Sequence, residues 1–214
     1  MQAIANEGAA TLIHEIAAVI VENKAWLSEI DGKIGDGDHG INMAKGFGRA
    51  SERIDAGDTL SSAMQTLSDV LMSEIGGSMG PLYGMMFQDM ADSLGAAPQI
   101  DAAAFGAMMR AGLDGVLDIG AAKPGDKTLL DALVPALDAY DATLTETGDF
   151  ASALAAMRDA AQAGRDRTEN MIARVGRSSR LGERSRGVLD AGASSCALIL
   201  EGFANGIAVR LKSA

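Results

Sequence analysis

The sequence predicts an all-α fold: a single-domain, eight-helix antiparallel up-and-down barrel with its functional site at one rim. The composition supports this prediction, because the chain is rich in Ala, Leu, Met and Gly, and aromatic residues make up only 4% of it. Such a mixture favours helices over strands. Apolar residues recur at helical spacing along almost the whole chain, and the breaks between them are short and glycine-rich. Short connections between long helices make successive helices antiparallel neighbours.

Eight helices are predicted from this periodicity. They cover residues 4–30, 41–54, 59–75, 80–94, 101–119, 128–144, 150–174 and 187–211. In the first, Leu12, Ile16 and Ile20 lie at helical spacing, and the second begins with Ile41 and Met43. No linker is long enough to divide the chain, so residues 1–214 are expected to form one domain.

Several of these helices are predicted to begin at a capping residue. A side-chain oxygen just before a helix accepts a hydrogen bond from one of the amides that the helix leaves unpaired. Thr59, Asp101, Thr128 and Asp149 stand at such positions. We therefore expect each of them to begin the helix that follows it.

The charge and the cysteine content narrow the function classes. The formal net charge of −11 argues against a general nucleic-acid binder and against binding to an anionic membrane surface. The single cysteine, Cys196, rules out an intramolecular disulfide and is expected in the core. We recognise no secretory leader in the sequence and expect no apolar run long enough to span a bilayer. We therefore expect a cytoplasmic protein without a membrane partner.

Four loops are predicted to meet at one end of the barrel. In an up-and-down arrangement, the loops after helices 1, 3, 5 and 7 lie at the same end. These are residues 31–40, 76–80, 120–127 and 175–187, which are also the chemically unusual loops of the chain. The coincidence predicts a composite site at that rim.

The first of these loops carries a cluster of carboxylates. Asp31, Asp36 and Asp38 lie within a few glycine-rich residues, next to His39 and Asn42. Clustered carboxylates repel one another unless a cation lies between them, and aspartate oxygens suit Mg²⁺ or Ca²⁺. The loop therefore predicts a divalent cation with an anionic group on its far side; a solvated turn between two helices is the simpler alternative.

Two familiar motifs resemble this loop in part but do not fit it. The glycines of 35–40 fit a dinucleotide fingerprint, but that fingerprint needs a preceding strand and bare amides, whereas a helix precedes this loop and Asp36 and Asp38 would repel phosphate. An EF-hand would need a closing Glu where Phe47 stands.

The other three loops have features that suit an anion. Residues 76–81 (GGSMGP) offer free amides before a helix N-terminus. They also match the nucleophile-elbow motif Gly-x-Ser-x-Gly. In hydrolases with that motif the catalytic His follows the Ser in the chain, whereas both histidines here, His14 and His39, precede it. Residues 120–128 contain two lysines, and residues 174–187 contain five arginines, whose planar groups pair with phosphate oxygens. Each loop also has a simpler alternative. Residues 76–81 could be a tight turn between helices, and residues 120–128 a turn with two solvated lysines. Residues 174–187 could be a solvated loop or a patch for an acidic partner.

Four ordered segments of the chain point to one family. They are residues 35–42 (GDGDHGIN), 76–84 (GGSMGPLYG), 123–128 (KPGDKT) and 176–185 (GRSSRLGERS), the last followed by 190–193 (DAGA). Together they resemble the L subunit of dihydroxyacetone kinase, over nearly the whole chain. The resemblance implies an eight-helix barrel, which agrees with the helix count.

The resemblance also implies a site composition. Two Mg²⁺ ions would be held by Asp31, Asp36 and Asp38. ATP or ADP would be bound by His39, Gly40, Ile41, Asn42, Ser78, Met79, Gly120, Leu129, Arg177, Asp190, Ala191 and Gly192. Arg177 would also stabilise charge during phosphoryl transfer. In this family a separate K subunit holds the substrate covalently through a histidine, and some members keep their ADP bound and have it rephosphorylated by a phosphocarrier protein.

Departures from the family pattern leave the substrate open. Ser78 and Met79 stand where Ala-Ser is expected, Ala191 replaces a proline, and Arg180 replaces a bulky aromatic residue. These changes suggest another small ketose, such as a tetrulose, in place of dihydroxyacetone. Two other functions stay open: a regulatory adaptor that binds nucleotide without catalysis, and a helical metal-binding protein without nucleotide. The three clustered aspartates favour the kinase subunit over the adaptor, and the arginine-rich loop argues against the metal-only protein.

Overall fold

The computed structural model describes residues 2–213, which form nine α-helices, two short strands and two 3₁₀ segments. The strands are β1 (Ala3–Ala5) and β2 (Gln99–Asp101). The helices are α1 (Thr11–Glu22), α2 (Lys24–Ile34), α3 (His39–Ser51), α4 (Leu60–Glu74), α5 (Met79–Leu94), α6 (Ala102–Ile119), α7 (Leu130–Thr147), α8 (Phe150–Arg167) and α9 (Ala191–Ser213). The 3₁₀ segments are Thr168–Asn170 and Ser178–Ser185.

The helices form a closed ring, which confirms the predicted all-α class. From α3 to α9 each helix packs against the next, and α1 packs against both α3 and α9. The interior is filled by buried aliphatic, methionine and aromatic side chains, among them Phe105, Tyr140, Phe150 and Phe203, whose rings contact one another. The ring brings the ends of alternate helices to one rim.

The predicted first helix over residues 4–30 is wrong in two respects. Residues 3–5 form β1, which pairs antiparallel with β2, with Ala3 opposite Asp101. The helical segment begins only at Thr11, and it is divided at Asn23 into α1 and α2. The cause is long-range: the side chain of Asn6 donates to the carbonyl of Ala97 at 2.8 Å and accepts from the amide of Leu60 at 2.9 Å, so it holds the first residues extended.

Most of the predicted caps are confirmed. Side-chain oxygens of Thr59, Asp101 and Asp149 accept from amides in the first turns of α4, α6 and α8. The prediction for Thr128 is wrong by one position, because Leu129 is the residue directly before α7. Thr128 Oγ1 nevertheless accepts a hydrogen bond from the amide of Leu130 at 3.3 Å.

The helices on either side of the arginine-rich loop are shorter than predicted. Helix α8 ends at Arg167 and not at residue 174. At its end the Thr168 hydroxyl donates to the carbonyl of Arg165 at 2.6 Å, and a 3₁₀ turn follows. Helix α9 begins at Ala191 instead of residue 187, because Gly187 has a φ of 85° that no α-helix admits. The connection between them therefore spans more than twenty residues.

Helix α9 is a core element. Its residues Ala191–Lys212 are long and apolar enough to cross a membrane, contrary to the expectation from the sequence, but 61% of its most apolar stretch is buried inside the ring. Cys196 is fully buried there, as predicted, and burial raises the pKa of its thiol to about 12. The hydropathy of this helix is explained by its central packing.

Candidate functional site

All four predicted loops border one cavity of about 510 Å³. Its lining comes from within residues 31–42, 76–83, 116–130, 175–178 and 190–192. The prediction that alternate loops meet at one rim is therefore confirmed. The last residues of α2 and α6 and the first residues of α3, α5, α7 and α9 contribute to this lining, together with the loops between them.

The three aspartates of the first loop converge. Oxygen atoms of Asp31, Asp36 and Asp38 lie within 4.8 Å of one another and border the cavity. Asp31 is in the last turn of α2 and Asp38 directly precedes α3, while Gly37, with a φ of 77°, reverses the chain between them. A donor set made only of carboxylate oxygens fits a hard divalent cation such as Mg²⁺.

A cationic side chain faces this cluster from the opposite loop. Arg177 forms an ion pair with Asp36, and it borders the cavity together with Ser178. The arginine side chain is 60% exposed, so its guanidinium is accessible to a ligand. A guanidinium next to a cluster of carboxylates at one cavity suits an anion that is bound there through a metal ion.

The second loop presents a helix N-terminus to the cavity. Gly76, Gly77, Ser78 and Met79 line it, and Ser78 is the residue before α5. The Ser78 side chain makes no capping bond, so the first amides of α5 have no side-chain partner in the cap. A Cβ on Gly80 would collide with the carbonyl oxygens of Leu71 and Ile75, so only glycine lets α5 begin this close to the end of α4.

A buried hydrogen-bond chain orients His39. Its Nε2 lies 2.9 Å from Ser195 Oγ, which lies 2.7 Å from the Tyr83 hydroxyl. That hydroxyl donates to the carbonyl of Gly192 at 3.1 Å. Burial lowers the pKa of His39, while the charge of Asp31 opposes this. Sequence reasoning missed the roles of Tyr83 and Ser195; the one available signal was a pair of serines inside an apolar helix, which must find partners.

The third loop contains a buried lysine. Lys123 is exposed, but the side chain of Lys127 is only 1% exposed, so the alternative of two solvated lysines is wrong for Lys127. Its Nζ donates to the carbonyl oxygens of Met171, Ser185 and Val188, at 3.3, 2.5 and 2.6 Å. Burial lowers the pKa of this ammonium below its ordinary value, and the negative charges of Asp190 and Glu169 offset only part of that shift.

Asp190 directly precedes α9 and borders the cavity. Its Oδ2 accepts from the amide of Ala193 at 2.7 Å, and burial raises the pKa of the carboxyl to about 7. Gly192 lies two residues after Asp190. A Cβ at Gly192 would come close to the Asp190 carboxylate and to the backbone of Leu129.

Most of the residues named from the sequence border this cavity. They are Asp31, Asp36, Asp38, His39, Asn42, Ser78, Met79, Gly120, Leu129, Arg177, Asp190, Ala191 and Gly192. Gly40 and Ile41 are not in the lining. Gly40 is buried against α2, where a Cβ would collide with Lys24 and Ser28, and Ile41 is 50% exposed. The structure therefore gives Gly40 a packing role in holding the loop against α2.

Comparisons with known proteins agree on one family. The model of the DAK2 domain matches residues 33–205. The PEP-dependent dihydroxyacetone kinase 1, ADP-binding subunit DhaL, of Listeria innocua is 35% identical over 190 residues, covering 87% of this chain and 89% of the relative. The L-erythrulose 1-kinase of Mycolicibacterium smegmatis is 35% identical over 210 residues, covering 92% of this chain but 36% of the relative. Both relatives are named as kinases, which are phosphotransferases.

A solved structure has the same fold. The dihydroxyacetone kinase from C. freundii in complex with AMP-PNP and Mg²⁺ superimposes with a TM-score of 0.68 at 26% identity. The match covers 92% of this chain and 33% of that one. This chain therefore spans about a third of the solved protein, and nearly all of the separate ADP-binding subunit.

Proposed function

The chain belongs to the DAK2 domain family, and we propose that it is the nucleotide- and magnesium-binding subunit of a small-ketose kinase of the dihydroxyacetone kinase type. Residues 1–214 would act as one domain. It would deliver a phosphoryl group, from ATP or from a bound ADP that a phosphocarrier rephosphorylates, to a ketose held by a separate K subunit in the cytoplasm. One observation carries this proposal: three converging carboxylates, one of them paired with an accessible arginine, border a single cavity.

Asp31, Asp36 and Asp38 would hold the Mg²⁺ ions, two in number. When bound, Mg²⁺ supplies positive charge that neutralises the phosphate oxygens and thereby favours transfer of the phosphoryl group. The chain's own contribution is to hold three like charges together in a glycine-rich turn and to orient Arg177 towards the same opening. Ser78, Met79 and the unpaired amides of α5 would receive phosphate oxygens from the other side.

The apolar part of the cavity lining suits the base of a nucleotide. Leu82, Val116 and Leu129 give it an apolar wall next to Gly120. An apolar wall with a few polar groups is the usual lining of a small-molecule site. His39, Asn42, Asp190, Ala191 and Gly192 would border the remainder of the nucleotide, while Gly40 and Ile41 would act through the backbone of the loop.

The ketose is assigned to a partner because the relatives that this chain matches along most of their length are named as ADP-binding subunits of a dihydroxyacetone kinase. Exposed apolar side chains at the rim ends of α3 and α6, Ile41, Leu117 and Ile119, would contribute to docking the K subunit. The named relatives act on dihydroxyacetone or on L-erythrulose, so a three- or four-carbon ketose is the substrate class.

Native mass spectrometry before and after EDTA tests the nucleotide assignment. A mass excess of ADP plus two Mg²⁺ that chelation removes, or uptake of ATP only with added Mg²⁺, is the expected outcome, and the choice between them identifies the donor branch. Absence of nucleotide under both conditions would refute the proposal. Nucleotide binding without phosphoryl transfer in the presence of the cognate K subunit would instead indicate an adaptor.

A further inference from the structure

We propose that Lys127 is a positioning residue that fixes the arginine segment, defined here as residues 171–188, against the rim of the cavity. Lys127 belongs to the loop between α6 and α7, and all three of its ammonium bonds go to backbone carbonyls of this segment. Met171 stands at the start of the segment, and Ser185 and Val188 stand at its end. One side chain therefore joins the two ends of the segment.

The arginine segment is held in place mainly by hydrogen bonds. Its only buried residues are Ala173 and Ser185, so it has little apolar packing to fix its position. Apart from Lys127, the amide of Arg174 donates to the carbonyl of Asp126 at 3.1 Å, the amide of Gly187 to the carbonyl of Glu169 at 2.7 Å, and Arg186 Nη1 to the carbonyl of Asn170 at 2.9 Å. Of these partners, only Asp126 lies in the same loop as Lys127.

The loop around Lys127 is built to aim this side chain. Lys127 has a φ of 65°, a conformation that an L-residue adopts only where its surroundings hold it. Oδ1 of Asp131 accepts from the amide of Gly125 at 2.5 Å, and its Oδ2 accepts from the amide of Thr128 at 2.8 Å. These bonds fix the chain on both sides of Lys127 and direct the ammonium away from solvent.

The consequence concerns Arg177, and it rests on the proposed function. Arg177 lies inside the segment that Lys127 joins, and it pairs with Asp36 at the mouth of the cavity. The Arg177 side chain is 60% exposed, so its position is set by the path of the backbone and by the ion pair with Asp36. Lys127 would thus determine, through the segment, how well Arg177 meets the phosphates of a bound nucleotide.

Limited trypsin digestion of the full chain tests this role without any ligand. The variant is Lys127→Met, which keeps the stem and removes the ammonium; the matched control is Lys123→Met, which removes the same charge from an exposed position of the same loop. Cleavage is scored by mass spectrometry only after the arginines of the segment: Arg174, Arg177, Arg180, Arg184 and Arg186. We expect cleavage there to become about tenfold faster or more in Lys127→Met alone, since bonds to a charged group are strong and proteolysis follows the open population.

Titration with Mg²⁺–ADP supplies the second measurement. Lys127→Met should weaken ADP binding by about tenfold while its far-UV spectrum and cooperative melting remain, whereas Lys123→Met should bind like the parent chain. Equal trypsin cleavage in the two variants would overturn the positioning role even if the parent chain binds ADP. Failure of the parent chain to bind ADP would instead refute the proposed function, and the trypsin comparison would still decide the role of Lys127.

A variant that does not fold also gives a decision. Lys127→Gln, compared with Lys123→Gln, keeps an amide donor and repeats the comparison if Lys127→Met is unfolded. Selective cleavage within the segment of a folded Lys127→Gln supports the proposal. Loss of the whole barrel in both Lys127 variants would overturn it, because Lys127 would then support the entire domain and not this segment.

Discussion

His39 and Ser195, which are 156 residues apart, are joined by a hydrogen bond of 2.9 Å between Nε2 and Oγ. The bond links the start of α3, beside the aspartate cluster, to the first turns of α9. Tyr83 extends the link to α5, since its hydroxyl lies 2.7 Å from the same serine oxygen. Three helices of the ring are therefore tied together directly beneath the rim.

Removing the Ser195 hydroxyl should weaken nucleotide binding without unfolding the barrel. Ser195→Ala leaves His39 Nε2 without its partner, so we expect the imidazole to lose its orientation and the affinity for Mg²⁺–ADP to fall by about three- to tenfold. Isothermal titration calorimetry measures this change. Ser194→Ala is the matched control, because the Ser194 hydroxyl is also buried but donates to the carbonyl of Asp190, four residues earlier in the chain. Equal affinities for the two variants would contradict a role for the His39–Ser195 bond.

Replacing Asp36 by alanine should abolish phosphoryl transfer with the K subunit while the helices stay folded. The change removes one of three carboxylates that lie within 4.8 Å of one another. Transfer is measured with the ketose and the donor, and far-UV circular dichroism reports the helices. Asp114→Ala removes an exposed carboxylate from α6 and should transfer normally. Retained activity of Asp36→Ala would exclude the proposed metal role.

The pH dependence of stability should carry the signature of Asp190. Burial raises the pKa of this carboxyl from its ordinary value to about 7, so between about pH 4 and pH 7 the folded protein holds a proton that the unfolded chain releases. The resulting stabilisation is present at low pH and is lost as the pH rises towards 7. Compared with Asp190→Asn, the parent chain should therefore lose free energy of unfolding between pH 5 and pH 8.

Urea unfolding at several pH values measures this difference. Asp149→Asn is the control: Asp149 also begins a helix, but hydrogen bonds from Ser152 lower the pKa of its carboxyl. Its contribution is lost only as the pH falls through that lowered pKa, so the difference between parent and control should stay constant from pH 5 to pH 8. A parallel pH profile for Asp190→Asn and the parent chain would show that Asp190 does not titrate in this interval.

Gly80→Ala should destabilise the protein by about 1–3 kcal/mol, because the added methyl group collides with backbone oxygens of Leu71 and Ile75. Backbone atoms cannot move aside as a side chain can, so α5 would have to shift away from α4. Gly48→Ala is the control inside a helix: its Cβ meets only Val21, at 3.9 Å, and alanine favours the helix by about 0.5–1 kcal/mol. Urea unfolding should thus give changes of opposite sign for the two variants.

Local sequence was sufficient for much of the fold and for part of the site. Periodicity located the helices of the ring, and Thr59, Asp101 and Asp149 were recognisable as caps because capping needs only neighbours three residues away. The aspartate cluster was equally local, since its members lie within eight residues of chain. Counting helices was enough to bring the four loops to one rim, because antiparallel packing alternates the ends.

Local sequence was thus enough to predict the helical class, the shared rim and the cluster of three carboxylates. Tertiary structure alone decided the antiparallel pairing of β1 with β2, the burial of Lys127 and the bond between His39 and Ser195. The physical reason is distance along the chain: periodicity and capping are set by residues a few positions apart, whereas these contacts join segments separated by tens to hundreds of residues. A lysine in a glycine-rich turn is ordinarily solvated, and only the carbonyls of residues 171, 185 and 188, brought to it by the closed ring, make it a buried support of the site.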